Sequence, residues 1–173
     1  MIDDGAGPLA FGDGEVRLRE VTRADADQLY RWRMDDSARP MFRNAAVVPY
    51  AEHLAFVERY FDPGNRDRWF VIEAGGRDVG AIALYDIAAD GTEAEWGRFV
   101  IAPGHRGAGI GRRALRLLVE HARTLGLRRL RCEVARGNTA EALYRSLGFA
   151  EPAPVATATD CFIALVADLE GGA

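Results

Sequence analysis

The chain has 173 residues, 49% of them hydrophobic, and this size and composition favour one folded domain with a single core over a disordered chain. With 22 basic and 26 acidic residues the net charge is −4, which argues against nucleic-acid binding because that function needs a basic surface. No apolar run reaches the length of a membrane span and the first residues lack a signal-peptide pattern, so we expect a cytoplasmic protein with no membrane partner.

The first part of the chain predicts a tail, a strand and two helices. Residues 1–14 are rich in glycine and acidic residues, and we expect a flexible N-terminal tail there. Polar and apolar residues alternate over 15–21, as in a half-buried strand. Thr-Arg-Ala-Asp at 22–25 is typical of a helix start, so a helix is predicted to about Met34, and a second one over about 51–61.

Three strands are predicted next, over 69–73, 79–85 and 93–101. The first two are separated by a pair of glycines at 75–76, which is typical of a hairpin. The third leads directly into a glycine-rich segment, so the chain passes from strand to turn to helix at this point.

That turn carries three glycines at alternating positions, in the sequence Arg-Gly-Ala-Gly-Ile-Gly of residues 106–111. A strongly amphipathic helix is predicted after it, over about 110–125. Glycines let a backbone turn tightly and approach a ligand, and the free N–H groups at a helix start attract anions. The segment therefore predicts a site for a phosphate or pyrophosphate.

Two common phosphate-binding patterns do not fit this turn. A P-loop needs a lysine after its last glycine, but Arg112 and Arg113 stand there and the chain contains no lysine. A dinucleotide-binding fingerprint has the spacing G-x-G-x-x-G and an acidic residue after the next strand. Here the spacing is G-x-G-x-G, and the next strand ends in Ala-Arg-Gly at 135–137.

The last part of the chain predicts a strand over 130–134, a short helix over 138–147, and a final antiparallel pair made by Phe149 and residues 161–166. The element order is β-α-α-β-β-β-α-β-α-β-β. This order indicates a mixed α/β (α+β) chain.

The domain is predicted to span 15–168, with a C-terminal tail at 169–173. Cys132 and Cys161 fall in strand-like segments, and we expect both to be small buried residues rather than a disulfide or a nucleophile. The three histidines are dispersed, so we expect no metal site.

Three features together resemble the GNAT superfamily of acyl-CoA-dependent N-acetyltransferases. They are the glycine turn, Asn138 followed by Ala-Leu-Tyr at 142–144, and the Leu-Gly-Phe step at 147–149. The resemblance covers 15–168. It implies a central mixed, mostly antiparallel sheet with helices on both faces, in which the strand before the turn and the strand after the long helix splay apart to admit acyl-CoA.

The resemblance also implies that acetyl-CoA is the cosubstrate. Backbone N–H groups of the turn would bind its pyrophosphate, and the main chain of the preceding strand would pair with its pantetheine amides. Asn138 would contact the coenzyme, cap its helix, or do both. The implied coenzyme-binding residues are Val100, Ile101, Arg106, Gly107, Ala108, Gly109, Ile110, Gly111, Arg112 and Asn138, with Arg113 as an alternative to Arg112.

By the same resemblance Tyr144 is the general acid beside the thioester sulfur, and Glu95 is the base that deprotonates the amine. Packing in the core is the alternative role of Tyr144, and Glu93 is an alternative base. In a regular strand, period-two alternation would place four residues on one face: Glu95, Gly97, Phe99 and Ile101. Transfer would be direct, with no covalent enzyme intermediate.

The segment around the first two helices resembles N-acetyltransferases that act on amino sugars linked to nucleotides. The shared markers are Trp-Arg at 32–33, Arg-x-Met at 39–41 and Glu-His at 52–53, although Met34 replaces the asparagine usual after Trp-Arg. The resemblance implies that Arg33 and His53 contact the nucleotide. The alternatives are a solvated cation at the helix end for Arg33 and a helix-surface residue for His53.

Other acceptors remain open at this point. The N-terminal amine of a protein or an aminoglycoside would also fit the general pattern, and the carboxylates of Asp35, Asp36 and Asp86 would suit such cations. A non-catalytic acyl-CoA sensor is the alternative from another class of protein, and the presence of Tyr144 and a strand glutamate argues against it. We expect a small-molecule amine as partner. Many relatives are dimers, so a homodimer is possible, and the sequence leaves the oligomeric state open.

Overall fold

The computed structural model describes residues 8–152 and 161–169. They form a seven-stranded sheet in which each strand pairs with the next one in the chain. All neighbouring strands are antiparallel except β5 and β6, which are parallel. The strands are β1 Ala10–Gly12, β2 Val16–Glu20, β3 Arg68–Ala74, β4 Arg77–Tyr85, β5 Glu93–Ile101, β6 Arg129–Ala135 and β7 Phe162–Asp168.

Four α-helices cover the sheet: α1 Ala26–Met34, α2 Tyr50–Tyr60, α3 Ile110–Thr124 and α4 Ala140–Arg145. Two hydrophobic clusters lie on opposite faces. One joins α3 and α4 to the sheet and includes Leu118 and Tyr144, and the other joins α1 and α2 to it and includes Leu29 and Val57. The expected mixed, mostly antiparallel sheet with helices on both faces is therefore confirmed.

The parallel strands β5 and β6 pair over only three residues each, Glu93–Glu95 with Arg129–Arg131. Both strands continue beyond this point, β5 beside β4 and β6 beside β7. Since no register joins them after Glu95, they splay apart, as the sequence resemblance implies. The gap leaves the backbone of one β5 edge without a strand partner.

A β-bulge in β5 changes which side chains share a face. Ala83 pairs with Gly97 and Ala81 with Val100, so β5 uses one residue more than β4 over the same length, and Arg98 takes a φ of +48°. An extra residue reverses the alternation of side chains after the bulge. The expectation that Glu95 and Gly97 share a face with Phe99 and Ile101 is therefore wrong: Phe99 and Ile101 pack against the α3 cluster.

The predicted domain boundaries need correction at both ends. Residues 10–12 within the predicted tail at 1–14 form β1, because Phe11 packs between Phe70 and His121 of the core. Leu169 is buried and its N–H donates to the carbonyl of Arg128 at 2.7 Å, so it belongs to the fold. Residues 1–7 and 170–173 of the predicted tails lie outside the described residues.

The end of the chain differs from expectation in two details. Phe149 is buried but not in a strand, and Ala150 makes a single bridge to Val166 instead. Cys132 is buried as expected, whereas Cys161 is exposed because β7 begins only at the next residue. Across the described ranges, no helix is both long and apolar enough to cross a membrane.

Candidate active site

A cavity of about 710 Å³ opens where β5 and β6 separate. Two residues of the glycine turn, Ala108 and Ile110, do not line it. All the other residues predicted to be catalytic or coenzyme-binding do, namely Glu95, Val100, Ile101, Arg106, Gly107, Gly109, Gly111, Arg112, Asn138 and Tyr144. The fold thus brings residues from three separate segments of the sequence to one cavity.

The glycine turn forms one end of this cavity. Gly107 and Gly109 have φ of +81° and +77°, in the left-handed region that residues with a Cβ rarely adopt. Gly109 immediately precedes α3, whose first N–H groups have no acceptor within the helix. These donors, together with the positive end of the helix dipole, make a site suited to a pyrophosphate.

The three arginines around the turn have different surroundings. Arg112 lines the cavity and donates to the Ser146 hydroxyl at 2.9 Å. Arg113 points elsewhere and pairs with Asp13 and Glu15 at 3.0 and 2.8 Å, so its predicted role as an alternative to Arg112 is wrong. A carboxylate pair already neutralises its charge.

The side chain of Arg106 joins the turn to the segment between α1 and α2. Its guanidinium donates to the carbonyl of Ile101 at 2.8 Å and to the hydroxyl of Ser37 at 2.8 Å. Asp35 lies 3.9 Å from the same guanidinium. The coenzyme side of the cavity is thereby tied to the segment that covers its other side.

Tyr144 lies on α4 and reaches the cavity from the core. Its ring packs edge-on against Trp96 with centroids 4.7 Å apart, and 7% of the residue is exposed. Burial is the main cause that raises the pKa of Tyr144, and the hydroxyl therefore keeps its proton at neutral pH. A protonated hydroxyl held rigidly in the cavity wall fits a general acid.

Glu95 lies on β5 at the last pairing with β6. One carboxylate oxygen accepts a hydrogen bond from the Tyr85 hydroxyl at 2.8 Å, and the other is 3.4 Å from Arg131 Nε. Glu93, the alternative base, pairs with Arg129 at 3.0 Å and does not line the cavity. Of the two glutamates, Glu95 is the one that lines the cavity, and its role as the base stays a prediction.

Asn138 lies one residue before Thr139, the N-cap of α4. Its side-chain oxygen accepts a hydrogen bond from the backbone N–H of Ala140 at 2.9 Å, and the residue also lines the cavity. Asn138 thus stabilises the turn into α4 without being its N-cap, and the coenzyme contact stays a prediction.

A second cavity, of about 470 Å³, lies on the α1–α2 side of the sheet. Phe42, Arg98 and Val100 line both cavities, so the two adjoin at the bulge of β5. Arg33 and His53, which were predicted to contact a nucleotide, both line this second cavity. A ligand there would meet the first cavity beside the point where β5 and β6 part.

Arg33 is held against the wall of the second cavity without a carboxylate partner in the described ranges. Its guanidinium lies 4.3 Å from the Phe42 ring centroid and donates through Nη2 to the carbonyl of Asn44. Its Nη1 is buried and has no hydrogen-bond partner within residues 8–152 and 161–169. Burial, followed by the charge of Arg39, lowers the pKa of Arg33. Arg33 is thus a partly desolvated cation, not the solvated helix-end residue considered above.

His53 is buried between α1 and α2. Its Nε2 lies 2.8 Å from the carbonyl of Ala26, and its ring packs near those of Tyr30 and Tyr50. The alternative of a helix-surface residue is wrong, because α2 turns this position inward. One ring nitrogen is engaged by the neighbouring helix, so any contact with substrate involves the other nitrogen or the ring face.

Sequence reasoning missed Arg98 and Trp69. The Arg98 guanidinium lies 4.6 Å from the Tyr85 ring centroid, 5.4 Å from that of Trp69 and 4.9 Å from that of Phe56, and it pairs with Asp67 at 3.3 Å. Trp69 Nε1 is a second buried donor in this wall with no partner among the described residues. Only Gly97 signalled the region, since an isolated glycine in a strand often marks a bulge.

Arg43 was also missed. It lies in the segment between α1 and α2, forms an ion pair with Glu133 of β6, and lies 5.2 Å from the Phe162 ring centroid. All three residues line the first cavity. The segment between the first two helices therefore spans the gap between the splayed strands.

Comparison with known proteins agrees with this geometry. Residues 26–149, well over half of the chain, match the model of the family described as "Acetyltransferase (GNAT) family". Among curated proteins, no sequence matches the chain significantly.

Several solved structures share the fold. Spermidine N-acetyltransferase from Vibrio cholerae, in complex with CoA and spermine, has a TM-score of 0.75 and 22% identity, covering 89% of this chain and 94% of that one. A RimL ribosomal L7/L12 α-N-protein acetyltransferase has a TM-score of 0.77 and 15% identity, with 97% and 98% covered. At such identities the likeness shows the fold alone.

Proposed function

The chain belongs to the acetyltransferase (GNAT) family, and from this premise we propose that its acceptor is a primary amine on a negatively charged molecule. An amino sugar linked to a nucleotide is the acceptor that the site favours. The donor is acetyl-CoA, whose pyrophosphate would bind the glycine turn and whose pantetheine arm would lie along the free edge of β5 beside Val100 and Ile101.

The chemistry follows from the residues around the apex of the gap. An alkyl ammonium has a pKa near that of lysine, about 10.4, so the amine must lose a proton before it can attack the thioester. Glu95 is the base within this cavity, and a backbone N–H of the β5 bulge would stabilise the oxyanion. When the tetrahedral intermediate collapses, Tyr144 donates its proton to the departing thiolate. No enzyme nucleophile is needed, so transfer occurs in a ternary complex.

The charge of the second cavity is the observation that carries the proposed acceptor class. Its lining contains three arginines and one carboxylate, Glu52. Arg98 is paired with Asp67, so Arg33 and Arg59 are the lining arginines that form no ion pair within the described ranges. Two donor-only groups of this wall, in Arg33 and Trp69, are buried without a partner among the described residues. An unpaired buried donor costs about 1–3 kcal/mol, so a side-chain shift that brings either group into contact with a phosphate or carboxylate oxygen of the acceptor would recover that cost.

The same charges disfavour cationic acceptors. A polyamine or an aminoglycoside would bring several ammonium groups beside the unpaired charges of Arg33 and Arg59, and like charges in a partly desolvated site repel. Asp35 and Asp36, which would suit such substrates, do not line the second cavity. A protein N-terminus remains the second candidate, because an acidic peptide would meet the same arginines favourably.

The proposal is tested by thiol release from acetyl-CoA with five amines: a nucleotide-linked amino sugar, the same amino sugar without the nucleotide, an acidic N-terminal peptide, spermidine and an aminoglycoside. We expect the highest kcat/KM with the nucleotide-linked sugar. Preference for spermidine or the aminoglycoside would contradict the acceptor class while leaving the acetyltransferase assignment intact.

Two substitutions on α1 sharpen the test. Arg33→Met keeps the aliphatic stem but removes the charge, and we expect KM for the anionic acceptor to rise about 10–100-fold, the loss of a charge-assisted hydrogen bond worth about 1.5–3 kcal/mol. Arg31→Met is the matched control, since Arg31 is exposed and lies outside the cavity. Equal KM values for the two variants would remove Arg33 from the acceptor site.

A further inference from the structure

The Tyr85 hydroxyl occupies the space above Gly97. A Cβ built on Gly97 would lie 2.7 Å from the Tyr85 oxygen, closer than a real Cβ approaches another atom. The same oxygen donates to Glu95 at 2.8 Å. Gly97 thus gives Tyr85 room to lie across β5 and reach the carboxylate two residues earlier.

This position coincides with the apex of the gap. Pairing of β5 with β6 ends at Glu95, and Tyr85, Glu95 and Gly97 all line the first cavity. If the coenzyme pyrophosphate binds the turn after β5, its arm runs back along β5 towards this apex. At about 3.3 Å per residue, Gly97 lies ~13 Å from Ile101 along the strand. The thioester at the end of the arm would then lie beside the Tyr85 hydroxyl.

The Glu95 carboxylate is not open to the substrate on every side. Arg131 lies beside one oxygen, and the other faces the Tyr85 hydroxyl. Arg98, whose guanidinium lies 4.6 Å from the Tyr85 ring centroid, lines both cavities where they adjoin. An amine presented from the second cavity would therefore approach the carboxylate from the side of the Tyr85 hydroxyl.

We propose that Tyr85 is a further catalytic residue that passes the proton of the acceptor ammonium to Glu95. The inference rests on the proposed function. In this step the ammonium N–H bond breaks as its proton moves to the Tyr85 oxygen, and the Tyr85 O–H bond breaks as that proton moves to Glu95. The products are a neutral amine, an unchanged Tyr85 hydroxyl and a protonated Glu95, which later returns the proton to solvent.

The surroundings of Tyr85 suit a proton relay better than a residue that acts as the catalytic base itself. Burial first, and then the hydrogen bond to Glu95, raise the pKa of Tyr85, so its hydroxyl rests protonated and directed at the carboxylate. A hydroxyl can accept one proton while it gives up another, and it needs no net charge to do so.

The test compares kcat/KM of Tyr85→Phe with that of wild type over pH 6–10, using the amine with the highest kcat/KM in the thiol-release assay. Below the amine pKa the variant must rely on the scarce neutral amine, so we expect kcat/KM for the acceptor to fall about 10²-fold at pH 7. For an amine with a pKa of about 10.4, roughly 30% is neutral at pH 10 against ~0.04% at pH 7, so the deficit should shrink to less than about tenfold. KM for acetyl-CoA should not change.

Tyr60→Phe is the matched control. Tyr60, like Tyr85, is a half-buried tyrosine, but it lines neither cavity. Its hydroxyl donates to a glutamate, Glu20, at 3.3 Å and accepts the backbone N–H of Trp69 at 3.2 Å. We expect its kcat/KM to equal that of wild type at every pH. A loss in this variant as large as in Tyr85→Phe would show that the effect arises from packing.

Gly97→Ala provides a second, independent variant. Its methyl group would push the Tyr85 hydroxyl away, so the single variant should show the same pH-dependent deficit. When Tyr85 is already phenylalanine, the nearest ring atom is 3.3 Å away and the methyl group is tolerated better. The kcat/KM of the double variant should therefore be at most about threefold below that of Tyr85→Phe, whereas independent effects of the two substitutions would multiply.

The outcomes separate this inference from the proposed function. A deficit that shrinks with rising pH, together with non-additivity, supports the relay. A deficit that is constant from pH 6 to 10, or none, overturns the role of Tyr85 while wild-type turnover still supports the function. Absence of wild-type turnover with every amine overturns both.

Discussion

Replacing Tyr144 by phenylalanine removes the proposed general acid and little else. The ring would keep its edge-on contact with Trp96, 4.7 Å between centroids, and only the hydroxyl oxygen is lost. The free energy of unfolding should therefore change by less than about 1.5 kcal/mol, the net value of one hydrogen bond. A fall in activity would then report on chemistry and not on folding.

The expected magnitude follows from the leaving group. Without a donor, coenzyme A must depart as a thiolate whose conjugate thiol has a pKa of about 8.5. A positioned acid contributes about 10²–10⁴-fold to such a step, which corresponds to ~2.7–5.4 kcal/mol of activation free energy. We expect kcat to fall within that range. Because burial raises the pKa of Tyr144, wild-type activity should not decline through loss of this proton below about pH 10.

The assay combines thiol release with calorimetric titration of coenzyme A. Tyr144→Phe should lose turnover and keep its Kd for coenzyme A within about threefold, since the hydroxyl acts only in the transition state. Tyr60→Phe serves as control, because burial raises the pKa of this tyrosine to about 12 and the residue lines neither cavity. Wild-type turnover from Tyr144→Phe would refute this mechanism.

Two further predictions concern the turn and the core. Gly109→Ala places a side chain on a residue with a φ of +77°, which costs about 1–2 kcal/mol. The affinity for coenzyme A, measured by calorimetry, should therefore fall about tenfold. Gly104 has no positive φ and lies in open space, so Gly104→Ala should bind coenzyme A like wild type. Burial alone would raise the pKa of Asp25, but hydrogen bonds from Arg19 and Thr22 outweigh it and hold the pKa below its usual value. In denaturant titrations above pH 5, Asp25→Asn should therefore be less stable than wild type by about 1.5–3 kcal/mol. Below about pH 4 the wild-type carboxylate begins to gain a proton, and the difference in stability should disappear as the pH falls through the lowered pKa of the folded state.

The elements that the sequence predicted well carry a long, regular signal. The amphipathic pattern of α3 buries Leu115 and Leu118 completely, and the glycine turn before it forms as expected. Local patterns of this kind depend on few distant contacts, so the sequence alone indicates them reliably. The same applies to Tyr144, whose position in α4 follows from the helix and the step that closes it.

The features that were missed depend on contacts between distant segments. β1 has only three residues, and it forms because Phe11 stacks on His121, more than a hundred positions later. The bulge at Arg98 is stabilised by Asp67 and three aromatic rings from other elements, none of which is near it in the sequence. Arg113 was misassigned because its partners, Asp13 and Glu15, lie in and beside a predicted tail.

The acceptor cavity shows the same limit. Arg33 and His53 were found by resemblance, but the sequence could not show that one is a buried unpaired donor and the other is held by Ala26. Burial of a polar group is a property of the assembled helices, not of its neighbours in the chain.

The most direct test of the account is the mass of the product formed by the wild-type enzyme from acetyl-CoA and a nucleotide-linked amino sugar. We predict that the sugar gains one acetyl group on nitrogen for each coenzyme A thiol released, and that the free amino sugar reacts at least about tenfold more slowly, the effect of one lost charge-assisted contact. Thiol release without an acetylated sugar, or equal rates with and without the nucleotide, would contradict the proposed recognition of an anionic acceptor.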